Sequence, residues 1–261
     1  MDRVKKNEVR YMILEYGGCS HRGMVRKSNE DYYYISDHQK DQRLAIVADG
    51  MGGHNAGEIA SRMAVETILE FFSTNKDEYY DNPTELIKES IREANYRIFS
   101  YAQNHEDCKG MGTTLVLSFF DEGKVYFGHV GDSRGYLIRK GEAIQITKDH
   151  SLVQELLDNG TITLEEVENH PQKNIITRAL GTEKNIEIDC YSIALEKDDI
   201  ILLCTDGLIL HVDLQENVEL FESSSSMQEL TSSLVDQALE KGGLDNITVV
   251  ATKYYGMVKE G

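Results

Sequence analysis

The sequence predicts an α+β fold in which mainly antiparallel sheets pack against helices. Short apolar or aromatic segments bounded by Gly or Asp recur along the 261 residues. They come in runs between a few helical stretches, which argues against alternating βαβ units. A hairpin-like spacing at Asp121-Glu122-Gly123 supports antiparallel pairing.

Strands are predicted at residues 11–15, 31–35, 44–48, 114–120, 124–130, 134–139, 186–193, 200–204 and 246–252. Helical periodicity is clearest after Pro83, where Ile87, Ile91, Ala94, Ile98 and Ala102 form one stripe, with Asn82 as the cap. A second helix is predicted over 57–72 (Ala60, Ala64, Ile68, Phe71) and a third over 227–240 (Leu230, Leu234, Ala238), the latter opened by the Ser226/Glu229 capping-box spacing. Residues 151–179 break the strand rhythm: a short helix ends at Gly160, and Thr163 with Glu166 offers another capping box. By pattern alone this stretch reads as a surface insertion.

No Pro-rich or Gly/Ser-rich linker divides the chain, so one domain over 1–261 is expected. Lys+Arg number 27 against Asp+Glu 45, a net charge of −18 that repels nucleic-acid backbones. The longest apolar run, 200–204, is far shorter than the roughly 20 residues a membrane span needs. No apolar signal segment of about 7–15 residues opens the chain, so a cytoplasmic location is expected. Cys19, Cys108, Cys190 and Cys204 form no CxxC pair and read as buried or incidental thiols rather than zinc ligands or nucleophiles.

The chemistry lies in acids at strand ends. Apolar strands run into Asp49-Gly50 and Asp206-Gly207. Either Asp-Gly alone is an ordinary turn dipeptide; two such ends could share a site. Glu30, Asp31, Asp132 and Asp245 occupy similar junctions. If they converge, charges about 4 Å apart repel by about 4 kcal/mol at an effective dielectric near 20, so the cluster needs cations or protons. An oxygen-only set favours Mg²⁺ or Mn²⁺ over Zn²⁺. Two such ions can acidify a shared water for attack on a phosphoryl group, with no protein nucleophile. Arg26, four residues before Glu30, is placed to grip phosphate oxygens bidentately, although beside Arg22 and Lys27 it also reads as a solvated surface arginine.

The ordered motifs GMVRKSNED (23–31), VADGMGGH (47–54), GMGTT (110–114), GHVGDSR (128–134), DH (149–150), ITRALG (176–181), CTDGL (204–208) and DNITVV (245–250) resemble the metal-dependent protein phosphatase family, the type 2C serine/threonine phosphatases. The DGMGGH form and compact length resemble its bacterial single-domain branch. The resemblance implies two antiparallel sheets in a central sandwich, flanked by helix pairs on both sides, with residues 151–179 as a flap beside the site. It implies that Asp49 bridges two metals, that the Gly50 carbonyl ligates one, and that Asp206 and Asp245 hold the other. Glu30 and Asp31 then act through water, Asp132 with Asp206 holds a third metal, Arg26 binds phosphate and Arg178 is structural. Implied partners are phosphorylated proteins and a cognate serine/threonine kinase.

Met51 departs from several animal members, which carry a proposed acid, His, directly after the Asp-Gly; a thioether cannot donate a proton. That role falls to water or to a nearby histidine such as His54 or His150. A non-catalytic module with the same fold is the rival reading, disfavoured because every implied carboxylate is present. Nucleotide phosphotransfer is unsupported, since neither Gly-rich run matches GxxxxGK[ST] or a full GxGxxG ahead of a helix.

Overall fold

The computed structural model describes residues 10–36, 43–53, 56–75, 78–79 and 81–259. Two antiparallel sheets face each other. The first orders β1 (Arg10–His21), β11 (Ile247–Lys259), β10 (Ile200–Cys204), β7 (Arg134–Arg139) and β8 (Glu142–Gln145). The second orders β2 (Asp31–Ile35), β3 (Leu44–Met51), β5 (Leu115–Asp121), β6 (Lys124–Val130) and β9 (Asp189–Ala194), with β4 (Gly112–Thr113) paired to the end of β3.

Strand alternation divides the core into three layers. Along β3, Ala45 and Val47 point between the sheets, whereas Leu44, Ile46 and Ala48 point outward. Along β10, Ile201 and Leu203 point between the sheets, and Ile200, Leu202 and Cys204 outward. Both faces are covered, which is why these strands read as unbroken apolar runs. The outer face of the β3 sheet carries α1 (Ala56–Asn75) and α2 (Pro83–Asn104). The other outer face carries α7 (Met227–Glu240) with the short α5 (Asp206–Ile209) and α6 (Val218–Ser223).

The predicted stripes are buried with one exception: Ile87, Ile91, Ala94 and Ile98 are fully buried, as are Leu230, Leu234 and Ala238 and, on α1, Ala60, Ala64 and Ile68, whereas Phe71 is only partly buried and Phe72 is the buried ring. The Asn82 side chain accepts from the Glu85 amide, capping α2. Ser226 caps α7 by accepting from the Glu229 amide, but the Glu229 carboxylate reaches the Ser225 amide, one residue further back than a capping box places it. The β5–β6 hairpin turns through Glu122 (φ 46°) and Gly123 (φ 75°), the left-handed pair of a tight two-residue hairpin.

Several boundaries differ from the sequence expectation. β1 and β11 run beyond their apolar stretches because they pair with each other along their whole lengths. Residues 186–188 lie outside β9, whose ladder with β6 begins at Asp189. β8, α5 and α6 were not anticipated: β8 is a short edge strand with little apolar content, and α5 and α6 are only one or two turns long.

Residues 151–179 leave the β7/β8 side and return to the second sheet. They carry α3 (Leu152–Asp158), capped by Ser151, and α4 (Leu164–Glu168), where Glu166 Oε2 accepts from the Thr163 amide at 2.8 Å. The excursion is tied at its base by pairing of Ser151 with Ile176 and of Leu180 with Thr113. Among the described residues no helix is long and apolar enough to cross a membrane.

Candidate active site

At one end of the sandwich the inward-facing positions change from apolar to polar. β3 continues Ala45, Val47, Asp49, with Asp31 opposite Asp49 on β2. From the facing sheet come Thr205 and Asp206 just beyond β10, and Asp245, Asn246 and Thr248 at the start of β11. Asp132 follows β6. A cleft of about 490 Å³ opens there, lined by Glu30, Asp49, Gly50, Asp132, Asp206 and Asp245, with Arg26 and Met51. Residues scattered over more than 200 positions of sequence are thus brought into one site, as their strand-end placement anticipates.

Neither Asp-Gly is a turn. Asp49-Gly50 stays in β3, where Gly50 pairs with Thr113 of β4. What requires glycine is close approach: a Cβ on Gly50 would lie 2.1 Å from the Gly57 carbonyl oxygen and 2.6 Å from that of Glu30. Asp206 opens α5 rather than closing a strand.

Hydrogen bonds fix the backbone at Asp49 and at Glu30. The Asp49 amide donates to Thr114 Oγ1 (3.0 Å), and the Asp49 carbonyl accepts from the Thr114 amide (2.9 Å) and from Thr113 Oγ1 (2.8 Å). Thr114 Oγ1 also bonds Ser133 Oγ at 2.6 Å, beside Asp132. Asn246 holds the 22–30 loop: its Nδ2 donates to the carbonyls of Arg22 and Ser28, and its Oδ1 accepts from the Glu30 amide. Ser61 Oγ donates to the Glu30 carbonyl at 2.6 Å.

Asp31 does not line the cleft; it lies behind Asp49. Its Oδ2 accepts from Thr248 Oγ1 (2.6 Å) and Thr205 Oγ1 (3.0 Å), while its buried Oδ1 has no partner. Arg26 Nη2 lies 2.6 Å from Asp245 Oδ2, and its side chain remains 56% exposed at the mouth.

The electrostatics carry the strain of this assembly. Burial, then the charges of Asp31 and Asp206, push the Asp49 carboxyl well above the usual range. Asp206 is raised by burial and by Asp245, and Asp31 by burial against its two hydroxyl donors. Asp132 is raised to about 7 by burial and by Asp206 and Asp149. Glu30 is raised by burial and partly restored by Arg26.

Among the described residues no three of these groups are drawn into a closed cage of ligands. The fit to cations rests on other observations: the lining acids are all oxygen donors, burial and neighbouring carboxylates raise Asp49, Asp132 and Asp206 above their ordinary values, and the buried Oδ1 atoms of Asp31 and Asp206 have no hydrogen-bond partner. Hard divalent cations meet all three conditions.

Of the two histidines considered as proton donors, His150 is not among the residues that line the cleft. His54 lies outside the described residues. His150 is 6% exposed and bound on all sides: its amide donates to the Gly131 carbonyl, its Nδ1 accepts from the Gly131 amide, and its Nε2 sits 3.3 Å from Asp189 Oδ2. It braces the turn before Asp132. Arg178 pairs with Asp189 and Glu187, away from the cleft lining. All four cysteines are free, with Cys108 and Cys204 buried.

Sequence reasoning missed the hydroxyl and amide supports. Thr114, Thr205, Asn246 and Thr248 stood inside motifs already singled out, so position was the available signal. Ile176 likewise opens the ITRALG motif, whereas Asn174, which with it brings the 151–179 excursion to the cleft, stands in no motif.

A fold of two facing antiparallel sheets with helices outside, and an acid-lined cleft at one end, define an α+β metal-dependent phosphatase architecture. The protein phosphatase 2C family model matches residues 18–243. The serine/threonine phosphatase stp of Listeria monocytogenes is 40% identical over 230 residues, covering 88% of this chain and 91% of that protein. The solved Mycobacterium tuberculosis serine/threonine phosphatase PstP/Ppp superposes with a TM-score of 0.85 at 36% identity, covering 94% of this chain and 100% of that one. A PstP catalytic domain in complex with 2 manganese ions gives 0.81 at 35% identity, with 94% and 100% covered. The chain belongs to the protein phosphatase 2C family.

Proposed function

We propose that this chain is a serine/threonine protein phosphatase that hydrolyses phosphoserine and phosphothreonine esters with Mn²⁺ or Mg²⁺. The observation that carries the reading is the convergence of Glu30, Asp49, Asp132, Asp206 and Asp245 on one cleft with Arg26 at its mouth. Asp49, the Gly50 carbonyl, Asp206 and Asp245 would hold a pair of ions, Asp132 with Asp206 a third, and Glu30 and Asp31 would act through water. Such ions, when bound, supply Lewis acidity that lowers the pKa of water and neutralises phosphate charge.

The chain's own residues do the rest. Arg26 swings between Asp245 and the peripheral oxygens of an incoming phosphate, holding it by charge-assisted hydrogen bonds. The Thr113–Thr114 bonds keep Asp49 from retreating when the cleft is loaded. Met51 offers no proton, and among the described residues no histidine, cysteine or tyrosine lines the cleft; protonation of the leaving alkoxide falls to water or to His54, which lies outside the described residues. Residues 151–179 act as a flap, reaching the cleft through Asn174 and Ile176, within one phosphatase domain. On this reading the chain's substrates are phosphorylated proteins, a serine/threonine kinase is the source of their phosphate, and the role is one of cytoplasmic signalling.

The test is a Mn²⁺-dependent assay over a phosphopeptide panel, with Asp206→Asn as control. Turnover is expected to vanish in chelator, to return with Mn²⁺ and to be absent in Asp206→Asn. Full activity after metal stripping in excess EDTA refutes the reading.

A further inference from the structure

Single exposed apolar side chains are ordinary on a protein surface, but a contiguous set at the lip of a cleft calls for a partner. Met24, Val25, Leu210 and Leu244 are 68%, 63%, 44% and 57% exposed. They come from three separate segments that hydrogen bonds join into one lip. The Met24 amide donates to the Gly243 carbonyl at 2.8 Å, and the Leu244 amide donates to His211 Nε2 at 3.2 Å. Gly23, at φ 78°, lets the loop lie on the 243–245 backbone: a Cβ there would stand 2.1 Å from the Asp245 carbonyl oxygen.

Each segment also supplies a polar group to the cleft. Arg26 follows Met24-Val25, Asp245 follows Leu244, and Asp206 precedes Leu210, which itself lines the cleft. A polypeptide whose phosphate reaches Arg26 and the acids can therefore lay a flanking side chain on this lip. We propose that Met24, Val25, Leu210 and Leu244 form a docking rim for an apolar side chain adjacent to the phosphorylated residue, so that the preferred substrates are phosphopeptides with Leu, Val or Met beside the phosphosite. This rests on the phosphatase reading of the cleft. The occupant is a substrate chain, not a second copy, because the rim is continuous with the cleft and a dimer seated on it would cover the entrance.

Two phosphothreonine peptides that differ only in Leu against Ser flanking the phosphosite separate the possibilities, assayed with Mn²⁺ on the wild-type protein and on a Met24→Ser/Leu244→Ser double variant of verified thermal stability. The wild type is expected to favour the Leu peptide roughly 10-fold in kcat/KM, the range one buried apolar group gives, and the double variant to bring the ratio near one by raising KM for the Leu peptide. An undiminished ratio in the variant, or no preference in the wild type, overturns the rim while leaving the phosphatase reading intact. Hydrolysis of neither peptide by the wild type overturns both. A concentration-dependent dimer by sedimentation that the double variant abolishes assigns the patch to self-association and also overturns the proposal.

Discussion

Asp31 and Asp49 stand directly opposite each other in the β2–β3 ladder, so two carboxylates share one face of the sheet, one at the cleft and one sealed behind it. Like charges in such positions are destabilising, and here burial amplifies the effect. Asp31→Asn keeps an acceptor for the Thr205 and Thr248 hydroxyls while removing one charge. The metal-free protein should gain about 1 kcal/mol, or roughly 2–4 °C in Tm for a chain of this size, at pH near 8. Mn²⁺ affinity should fall about 10–100-fold, the cost of losing a support behind the ligands. Calorimetry and Mn²⁺ titration read both; a variant less stable without metal contradicts the repulsion argument.

Arg26 has one partner in the cleft, Asp245, and a mostly solvated side chain. Arg26→Ala should raise KM for phosphopeptides roughly 10–100-fold with a smaller change in kcat, the signature of a lost charge-assisted contact to bound phosphate. Arg26→Lys should recover little, because a point charge lacks the planar fork. Steady-state kinetics on one peptide decides; a pure kcat effect would place Arg26 at the reacting atoms instead.

The stability of the metal-free protein should depend on pH in a stated direction. Asp132 titrates near 7 in the fold, against about 3.9 for an unfolded aspartate. The folded chain therefore binds the proton more tightly. That contribution is complete below about pH 4 and is lost as pH rises through about 7. With EDTA, Tm should fall between about pH 5 and pH 8; with saturating Mn²⁺ that fall should shrink or reverse, since cations replace protons as the neutralising charge. Flat Tm in EDTA across this window speaks against the buried acid cluster.

Much of this was legible from residue order. The long helices followed from the stripes at Ile87–Ile98 and Leu230–Ala238, because burial there is decided by local pattern, whereas the layering came only with the family resemblance, since β3 and β10 are apolar on both faces and show no alternation. The acids were found because each follows or precedes an apolar strand. What stayed hidden depends on tertiary approach. That Asp49-Gly50 continues a strand is set by pairing with β4, remote in sequence, and by the close approach of the Gly57 backbone, which no residue pattern shows. The split between cleft-facing Asp49 and sealed Asp31 needs the ladder register, and the bracing role of His150 needs Gly131 and Asp189 beside it.

The net charge of −18 should make encounter with basic phosphopeptides faster than with acidic ones. Raising ionic strength from about 0.05 M to about 0.5 M should lower kcat/KM for an Arg-rich phosphopeptide several-fold and leave kcat nearly unchanged, because the Debye length shrinks well below the approach distance. Stopped-flow or steady-state rates over a salt series provide the check, and salt-independent kcat/KM removes the effect.

The two knots at the base of the 151–179 excursion, Ser151 with Ile176 and Leu180 with Thr113, hold its stem independently of the helices α3 and α4 that it carries. Thr113 also grips Asp49, so the cleft is anchored at the stem and not through the helices the stem carries. Closing a longer or shorter loop over a fixed stem changes the entropy only slowly with length. Residues 152–173 can thus vary in length and sequence over one stem, while Asn174 and Ile176 keep the excursion's contact with the cleft.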